Sequence, residues 1–137
     1  MSRLAEALLL RSAASGLATL LELSARLDRR CARAIRALRA TYELRYGRAA
    51  RRLLFDGGRV RTSGARAGEP DYSVTFVDLP GALSQLARSP GDVLRLQLEN
   101  KVQPAGNVYY LFQLGYLLGL AARQLEEKAK WLRASTP

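Results

Sequence analysis

The chain of 137 residues contains no histidine. This absence removes the commonest general base and metal ligand, and it excludes serine–histidine and cysteine–histidine nucleophile pairs. Carboxylates are scattered, and the adjacent Glu126 and Glu127 would point apart on a helix, which indicates a solvated surface. Because the residues that a catalytic site needs do not come together, we expect no enzymatic activity, no metal and no cofactor.

Cysteine is almost as scarce, since Cys31 is the only one. A single cysteine excludes an intramolecular disulfide and a zinc site built from several cysteines. Cys31 lies on the apolar side of a predicted helix, so we interpret it as a buried small hydrophobic residue.

Long hydrophobic runs are also lacking. The apolar stretch 108–122 contains Gln113 and is shorter than the roughly 20 residues that span a bilayer. The cluster Leu8-Leu9-Leu10 is too short for the apolar part of a signal peptide. We therefore expect a cytoplasmic chain that is at most peripheral to the inner face of a membrane.

The composition, with 48% hydrophobic and 25% charged residues, indicates a globular chain. Its length predicts one domain over residues 1–137, with a basic amphipathic helical segment at 1–40 and a sheet-and-helix core at 41–137. The charge is uneven: residues 1–66 hold 15 arginines and 5 acidic residues, whereas residues 67–137 hold 7 basic and 7 acidic ones. The excess predicts an anionic partner for the N-terminal half.

Apolar residues recur every three or four positions in the N-terminal segment, which predicts a helix, and Gly16 is where it could divide into two. Five arginines follow the same period on the opposite side and are called the arginine stripe: Arg26, Arg29, Arg30, Arg33 and Arg36. The stripe is interpreted as a solvated face, as a surface for docking to anionic membranes, or as a nucleic-acid surface. Nucleic acid ranks last because the intervening alanines offer neither base reading nor stacking.

Period-two alternation predicts strands at residues 41–46 and 71–77, and Asp56-Gly57-Gly58 predicts a hairpin turn between strands at 53–55 and 59–62. Asp78 predicts the start of a helix through residue 87. The pattern at residues 92–98 fits a strand or a short helix equally well.

Asn107 opens a last predicted helix, to about residue 133, whose first half is apolar on every side. Such a helix must be covered all round. The N-terminal helix could supply the missing cover, or the helix could line a ligand pocket, and the residues alone leave both open.

Several short motifs occur in a recognisable order: Phe55-Asp56-Gly57-Gly58, the run 70–76 before the helix at 79–87, Gly106-Asn107 and Tyr110-Leu111-Phe112. Over residues 53–120 the chain resembles the sterol carrier protein type 2 family of lipid-binding domains. It departs from the family in its long arginine-rich N-terminal helix and in having Gln113 or Leu114 where a lysine is frequent.

The resemblance implies an α+β fold with an antiparallel sheet of about five strands, helices packed on one face, and a lipid tunnel between the sheet and the C-terminal helix. It also implies a helix at 92–98 and a strand at 100–103. The residues expected to line the tunnel are Phe55, Val74, Phe76, Leu83, Leu86, Leu98, Phe112, Tyr116, Leu117 and Leu120.

The function that we expect is non-catalytic binding or carriage of an apolar lipid: a fatty acyl chain, a sterol-like molecule or a prenylated quinone intermediate. The quinone follows from the resemblance, because some bacterial family members assist ubiquinone biosynthesis. The alternative is a structural or interaction module whose apolar helices form a homodimer or dock on a partner enzyme. A nucleic-acid-binding protein is third.

Overall fold

The computed structural model describes residues 2–64, 68–89 and 92–135. In chain order the elements are α1 (Arg3–Leu27), α2 (Arg29–Ala37), β1 (Ala40–Tyr46), β2 (Ala49–Asp56), β3 (Arg59–Gly64), β4 (Tyr72–Phe76), α3 (Leu79–Arg88), α4 (Val93–Leu98), β5 (Val102–Gly106) and α5 (Val108–Ser135). The chain therefore has the α+β composition that the sequence predicted.

The long N-terminal helical segment is divided, but at Asp28 and not at Gly16. Asp28 has extended backbone angles, φ −144° and ψ 128°, and separates α1 from α2. Gly16 lies inside α1, where a glycine costs about 0.5–1 kcal/mol relative to alanine without ending the helix. The division predicted at Gly16 is therefore wrong.

The sheet has the strand order β3-β2-β1-β4-β5, and β1 pairs with β4 in parallel. The other three pairings are antiparallel, so the expectation of a purely antiparallel sheet is wrong. The register is fixed where the two parallel strands begin: the Asp71 amide donates to the Thr41 carbonyl at 2.8 Å, and the Thr41 amide donates to Asp71 Oδ2 at 2.7 Å. These two hydrogen bonds place the start of β4 beside the start of β1.

One face of the sheet carries the core. Alternate residues of the five strands are buried there, among them Tyr42, Leu44, Leu53, Phe55, Val60, Tyr72, Val74, Phe76 and Val102. α1 lies against β1, β2 and β3, while α4 lies against the edge strand β5. Within α1 the buried side is formed by Leu10, Ala14, Ala18, Leu21 and Ser24. The helices therefore cover the face that the period-two pattern predicted to be apolar.

The region before α5 forms a helix and then a strand. Asp92 Oδ1 accepts a hydrogen bond from the Arg95 amide at 3.3 Å and caps α4, so residues 93–98 are helical as the resemblance implied. Asn100 has a positive φ of 56°, and the Lys101 amide donates back to the Leu96 carbonyl. Because this turn takes up residues 99–101, β5 begins at Val102 and not at residue 100, which corrects the predicted strand. It includes Pro104, which an edge strand tolerates.

α5 begins where the sequence predicted. Asn107 Oδ1 accepts a hydrogen bond from the Tyr109 amide at 3.0 Å. The preceding Gly106 has φ 125°, and a Cβ there would lie 3.0 Å from Cδ1 of Tyr72. The position therefore requires glycine for its backbone angle and for the close approach of β4.

Among the described residues, α1 is the helix long and apolar enough to span a membrane by length and composition. It lies near the N-terminus, and core helices of water-soluble proteins and signal sequences meet the same criterion. Its buried side packs on the sheet in this fold. The expectation of no membrane-spanning segment stays a prediction.

Candidate functional site

The first half of α5 is apolar all round, but the protein covers only part of it. Tyr109, Phe112 and Tyr116 follow one side of the helix and are 51%, 53% and 59% exposed. The other sides are buried and carry Leu111, Leu114, Gly115, Leu117 and Leu118. α1, α2 and α4 contact α5. The N-terminal helix therefore supplies some of the missing cover, and an aromatic stripe stays at the surface.

The interior between the sheet and α5 contains the Tyr42 side chain. Its hydroxyl donates a hydrogen bond to the Tyr110 carbonyl at 2.7 Å. Its ring meets Phe55 edge-to-face at a centroid distance of 5.5 Å. Burial, followed by the neighbouring Tyr110, raises the pKa of the Tyr42 phenol well above its ordinary value. The tunnel that the resemblance placed here is not shown by the structure.

A groove with a wholly apolar lining lies on one side of α5, between α1 and α3. Its volume is about 360 Å³, within the roughly 300–1,000 Å³ of small-molecule sites. The lining residues, which define the apolar groove, are Leu17, Leu20, Leu83, Leu86, Ala87, Leu118, Ala122 and Leu125. They bring together one side of each of three helices that are separate in the sequence.

A second groove of about 290 Å³ lies between α4 and α5, and is called the aromatic groove. Its apolar lining includes Leu94, Phe112, Tyr116 and Leu120, but Asp92 and Arg123 also contribute. The exposed aromatic stripe of α5 therefore forms one of its walls. Two charged residues make this groove less suited than the apolar groove to a ligand without polar groups.

The ten residues predicted to line a tunnel fall into four groups. Leu83 and Leu86 line the apolar groove, while Phe112, Tyr116 and Leu120 line the aromatic groove. Four are buried in the core: Phe55, Val74, Phe76 and Leu117. Leu98, at the end of α4, is 75% exposed. The structure thus places them around α5 without gathering them into one site, and their contact with a lipid stays a prediction.

Sequence reasoning missed the α1 contribution to the apolar groove. Leu17 and Leu20 belong to the regular apolar side of the N-terminal helix, so the signal was present. This apolar side was interpreted only as a surface that packs on the core, because the family resemblance begins after the N-terminal helix.

The arginine stripe is distributed over two helices. Arg26 lies in the last turn of α1, and the other four members lie on α2 beyond Asp28. All five are exposed. Arg30 Nε lies 4.0 Å from Asp28 Oδ2, at the outer limit of an ion pair. Cys31, on the opposite side of α2, is 2% exposed, which confirms its interpretation as a buried residue.

The most buried carboxylate lies on the outer face of the sheet. Glu43 is 3% exposed and pairs with Arg45 Nη2 at 2.6 Å and with Arg52 Nε at 3.2 Å. Burial by itself would raise the pKa of Glu43, but hydrogen bonds and charge from Arg45 and Arg52 outweigh it and hold the pKa below its ordinary 4.5. A carboxylate held ionised is unsuited to donate a proton near neutral pH. We interpret this cluster as structural.

Across residues 2–64, 68–89 and 92–135, no group of three or more acidic, cysteine or histidine side chains could hold a metal ion.

No protein-family model matches the chain, and no curated protein sequence matches it. Solved structures, in contrast, do match the chain. The UbiJ-SCP2 ubiquinone synthesis protein is similar at a TM-score of 0.63, with 17% identity, over 82% of this chain and 93% of that one. The sterol carrier protein domain 2 of Helicoverpa armigera is similar at 0.52, with 15% identity, over 65% and 73%.

An enzyme also shares part of the fold. The inverting sec-alkylsulfatase Pisa1 from Pseudomonas sp. is similar at a TM-score of 0.53 and 19% identity, over 69% of this chain but only 14% of the enzyme. At such identities the likeness shows the fold alone. The chain has the sterol carrier protein type 2 fold that the motifs in its sequence implied.

Proposed function

We propose that this protein binds and carries an apolar lipid, without catalysis, in the apolar groove. The observation that carries the proposal is a lining of eight apolar residues with no polar side chain among them. A ligand there would remove apolar surface from water, which contributes about 25 cal/mol per Å². The fold supports it, because the similar structures include domains named sterol carrier proteins.

Three ligand classes follow from the family resemblance: a fatty acyl chain, a sterol-like molecule and a prenylated quinone intermediate. The similar protein that covers most of this chain is named for ubiquinone synthesis, which supports the quinone. A prenyl tail would lie in the apolar groove, and its ring would remain near the rim.

The arginine stripe would dock the protein on an anionic membrane, from which a carrier must collect its ligand. Each arginine near such a surface contributes about 1 kcal/mol. We propose accordingly that the protein works in the cytoplasm, at the inner face of the membrane.

A structural or interaction role is the second candidate, and exposed apolar side chains favour it. Tyr116 and Leu98 are 59% and 75% exposed, and Trp131 near the end of α5 is 64% exposed. Exposed apolar patches mark contact surfaces, so α5 would form a homodimer or dock on a partner enzyme.

Native mass spectrometry of the purified protein separates the two candidates. We expect a monomer mass that carries a lipid adduct, identified by fragmentation. A lipid-free dimer would favour the interaction module. Preferential binding of DNA over anionic vesicles at matched salt would instead favour the nucleic-acid function, which ranks third.

Two variants on α5 then locate the ligand. Ala122→Trp would fill the apolar groove, whereas Leu120→Trp would fill the aromatic groove. We expect Ala122→Trp to abolish uptake of a fluorescent acyl probe, and Leu120→Trp to leave it unchanged, in proteins that melt normally. Overpacking costs about 1–3 kcal/mol, which a stable domain survives. The reverse pattern would move the site to the aromatic groove, and no effect from either would refute both grooves. Competition by a short-chain ubiquinone analogue and by a sterol tests the ligand class.

A further inference from the structure

A third cleft has four arginines among its ten lining residues. It has a volume of about 720 Å³ and opens between α1, α2 and the turn that joins β2 to β3. Arg26 comes from α1, Arg36 from α2, and Arg59 and Arg61 from β3. We call it the arginine cleft. The arginine cleft is bordered by the side of α1 that carries Glu22 and Arg26. Leu17 and Leu20, which line the apolar groove, lie on a different side of this helix.

These four arginines have no acidic partner within the described part of the chain. None of them lies within 4.0 Å of a carboxylate oxygen, although Glu22 lines the same cleft. Glu22 is engaged elsewhere: its Oε1 accepts a hydrogen bond from the Val60 amide at 3.0 Å. Four arginines and one glutamate among the lining residues give a formal charge of +3. All four arginines are exposed and therefore accessible to an anion, which would relieve their mutual repulsion.

The turn at the end of the cleft adds main-chain donors. Gly57 and Gly58 have φ of 62° and 91°, and neither amide donates to an acceptor among residues 2–64, 68–89 and 92–135. Arg36 lies against this turn, since a Cβ on Gly58 would be 4.0 Å from its Nε. Successive amides in a turn with positive φ form concavities that favour anions. The Arg36 side chain thus lies beside a turn whose amides have no acceptor among the described residues.

We propose that the arginine cleft binds a phosphate or diphosphate group. Guanidinium forks match the geometry of phosphate oxygens and bind them with charge-assisted hydrogen bonds. A compact group with several negative charges suits a lining charge of +3 better than a single carboxylate does. Nucleic acid fits less well, because the lining contains no aromatic residue for stacking. The site is independent of the apolar groove.

The test is a titration of the full chain with inorganic pyrophosphate, followed by the NMR resonances of the Gly57 and Gly58 amides at constant ionic strength. We expect saturable shifts. Arg36→Gln and Arg59→Gln should weaken binding about tenfold or more, as expected for the loss of a charged hydrogen bond. Arg29→Gln and Arg33→Gln remove the same charge from α2 outside the cleft, and should change the affinity less than about twofold.

The possible outcomes distinguish a specific binding site from nonspecific electrostatic attraction. Non-saturating shifts, or an equal loss of affinity in Arg33→Gln, would overturn the proposal. Arg59 lies on β3 and Arg36 on α2. If the melting curve of one variant shows a folding defect, the affinity of the other variant still tests the proposal. Ala122→Trp should bind pyrophosphate normally, so the cleft and the apolar groove can fail separately.

A further arm identifies where the phosphate comes from. Phosphatidylcholine vesicles that contain phosphatidic acid are added to the pyrophosphate complex. Displacement of pyrophosphate would indicate a lipid headgroup as the source, and its retention would indicate a soluble phosphate ester. Either result is consistent with a phosphate site in the arginine cleft, provided that pyrophosphate binding is saturable and is weakened by Arg36→Gln.

Discussion

The Tyr42 hydroxyl donates a hydrogen bond to the main-chain carbonyl of Tyr110, 68 residues away along the chain, at 2.7 Å. It joins the central strand β1 to the first turn of α5. Tyr42 is fully buried, so the bond is shielded from water. The contact orients the helix that forms a wall of both grooves.

Tyr42→Phe removes this hydroxyl and little else. We expect the free energy of unfolding, measured by urea denaturation, to fall by about 0.5–1.5 kcal/mol. Tyr109→Phe is the matched control, because Tyr109 is half exposed and its hydroxyl makes no hydrogen bond within the described residues. An equal effect of both substitutions would mean that the buried bond does not stabilise the fold.

Gly106→Ala should be destabilising. The new Cβ would lie 3.0 Å from Cδ1 of Tyr72 and 3.1 Å from the Asp71 carbonyl oxygen, at a φ of 125°. A residue strained in this way costs about 1–3 kcal/mol. Gly16→Ala is the opposite case, because nothing lies within 4 Å of its Cβ and it is inside a helix. It should stabilise by about 0.5–1 kcal/mol, and thermal melts of both variants would measure the contrast.

Glu43→Gln should change how stability depends on pH. In the folded protein Arg45 and Arg52 hold the pKa of Glu43 below its ordinary 4.5. The unfolded chain therefore takes up the proton first, so the stabilisation is present above pH 4.5 and is lost as the pH falls through the lower folded-state pKa. The variant should lack this part of the pH profile. Its free energy of unfolding at neutral pH should fall by about 3 kcal/mol, because Arg52 stays buried without its carboxylate partner.

Glu99→Gln provides the control for that profile. The pKa of Glu99 is also lowered, by Lys101 and Arg95, but this carboxylate is exposed to solvent. We expect no measurable change of stability at neutral pH, because exposed ion pairs contribute little. A similar loss in both variants would contradict the assignment of Glu43 as a structural carboxylate.

Replacing Arg29, Arg30 and Arg33 with glutamine tests membrane docking without altering the arginine cleft. Affinity for anionic vesicles at low salt should fall by roughly 3 kcal/mol, if each arginine contributes about 1 kcal/mol. Binding of the wild type should also weaken with salt, as the Debye length decreases from about 10 Å at 0.1 M to about 3 Å at 1 M. Uptake of the acyl probe should not change. Equal co-sedimentation with neutral vesicles would exclude electrostatic docking.

Features set by neighbouring residues could be predicted from the sequence. The alternation at 41–46, the Gly57-Gly58 turn and the Asn107 cap each depend on a few adjacent residues, and each forms as expected. The break at Asp28 was missed because a glycine looks like the weaker point of a helix, while an aspartate adopts either helical or extended angles.

Long-range features could not be predicted in the same way. The parallel pairing of β1 with β4 brings together residues 30 apart in the sequence, such as Thr41 and Asp71. The apolar groove depends on how α1, α3 and α5 pack, and no local period encodes that packing. The likeness to a known family supplied the overall arrangement, but not the position of the grooves.

The hydrogen bond from the Val60 amide to Glu22 has a consequence for self-association. β3 is an edge strand, whose outward amides could pair with a strand from another molecule. Glu22 occupies one of these donors, and Arg59 and Arg61 place like charges along the same edge. Copies of the chain that approach along β3 would meet a capped donor and mutual repulsion, so pairing between molecules along this edge is disfavoured.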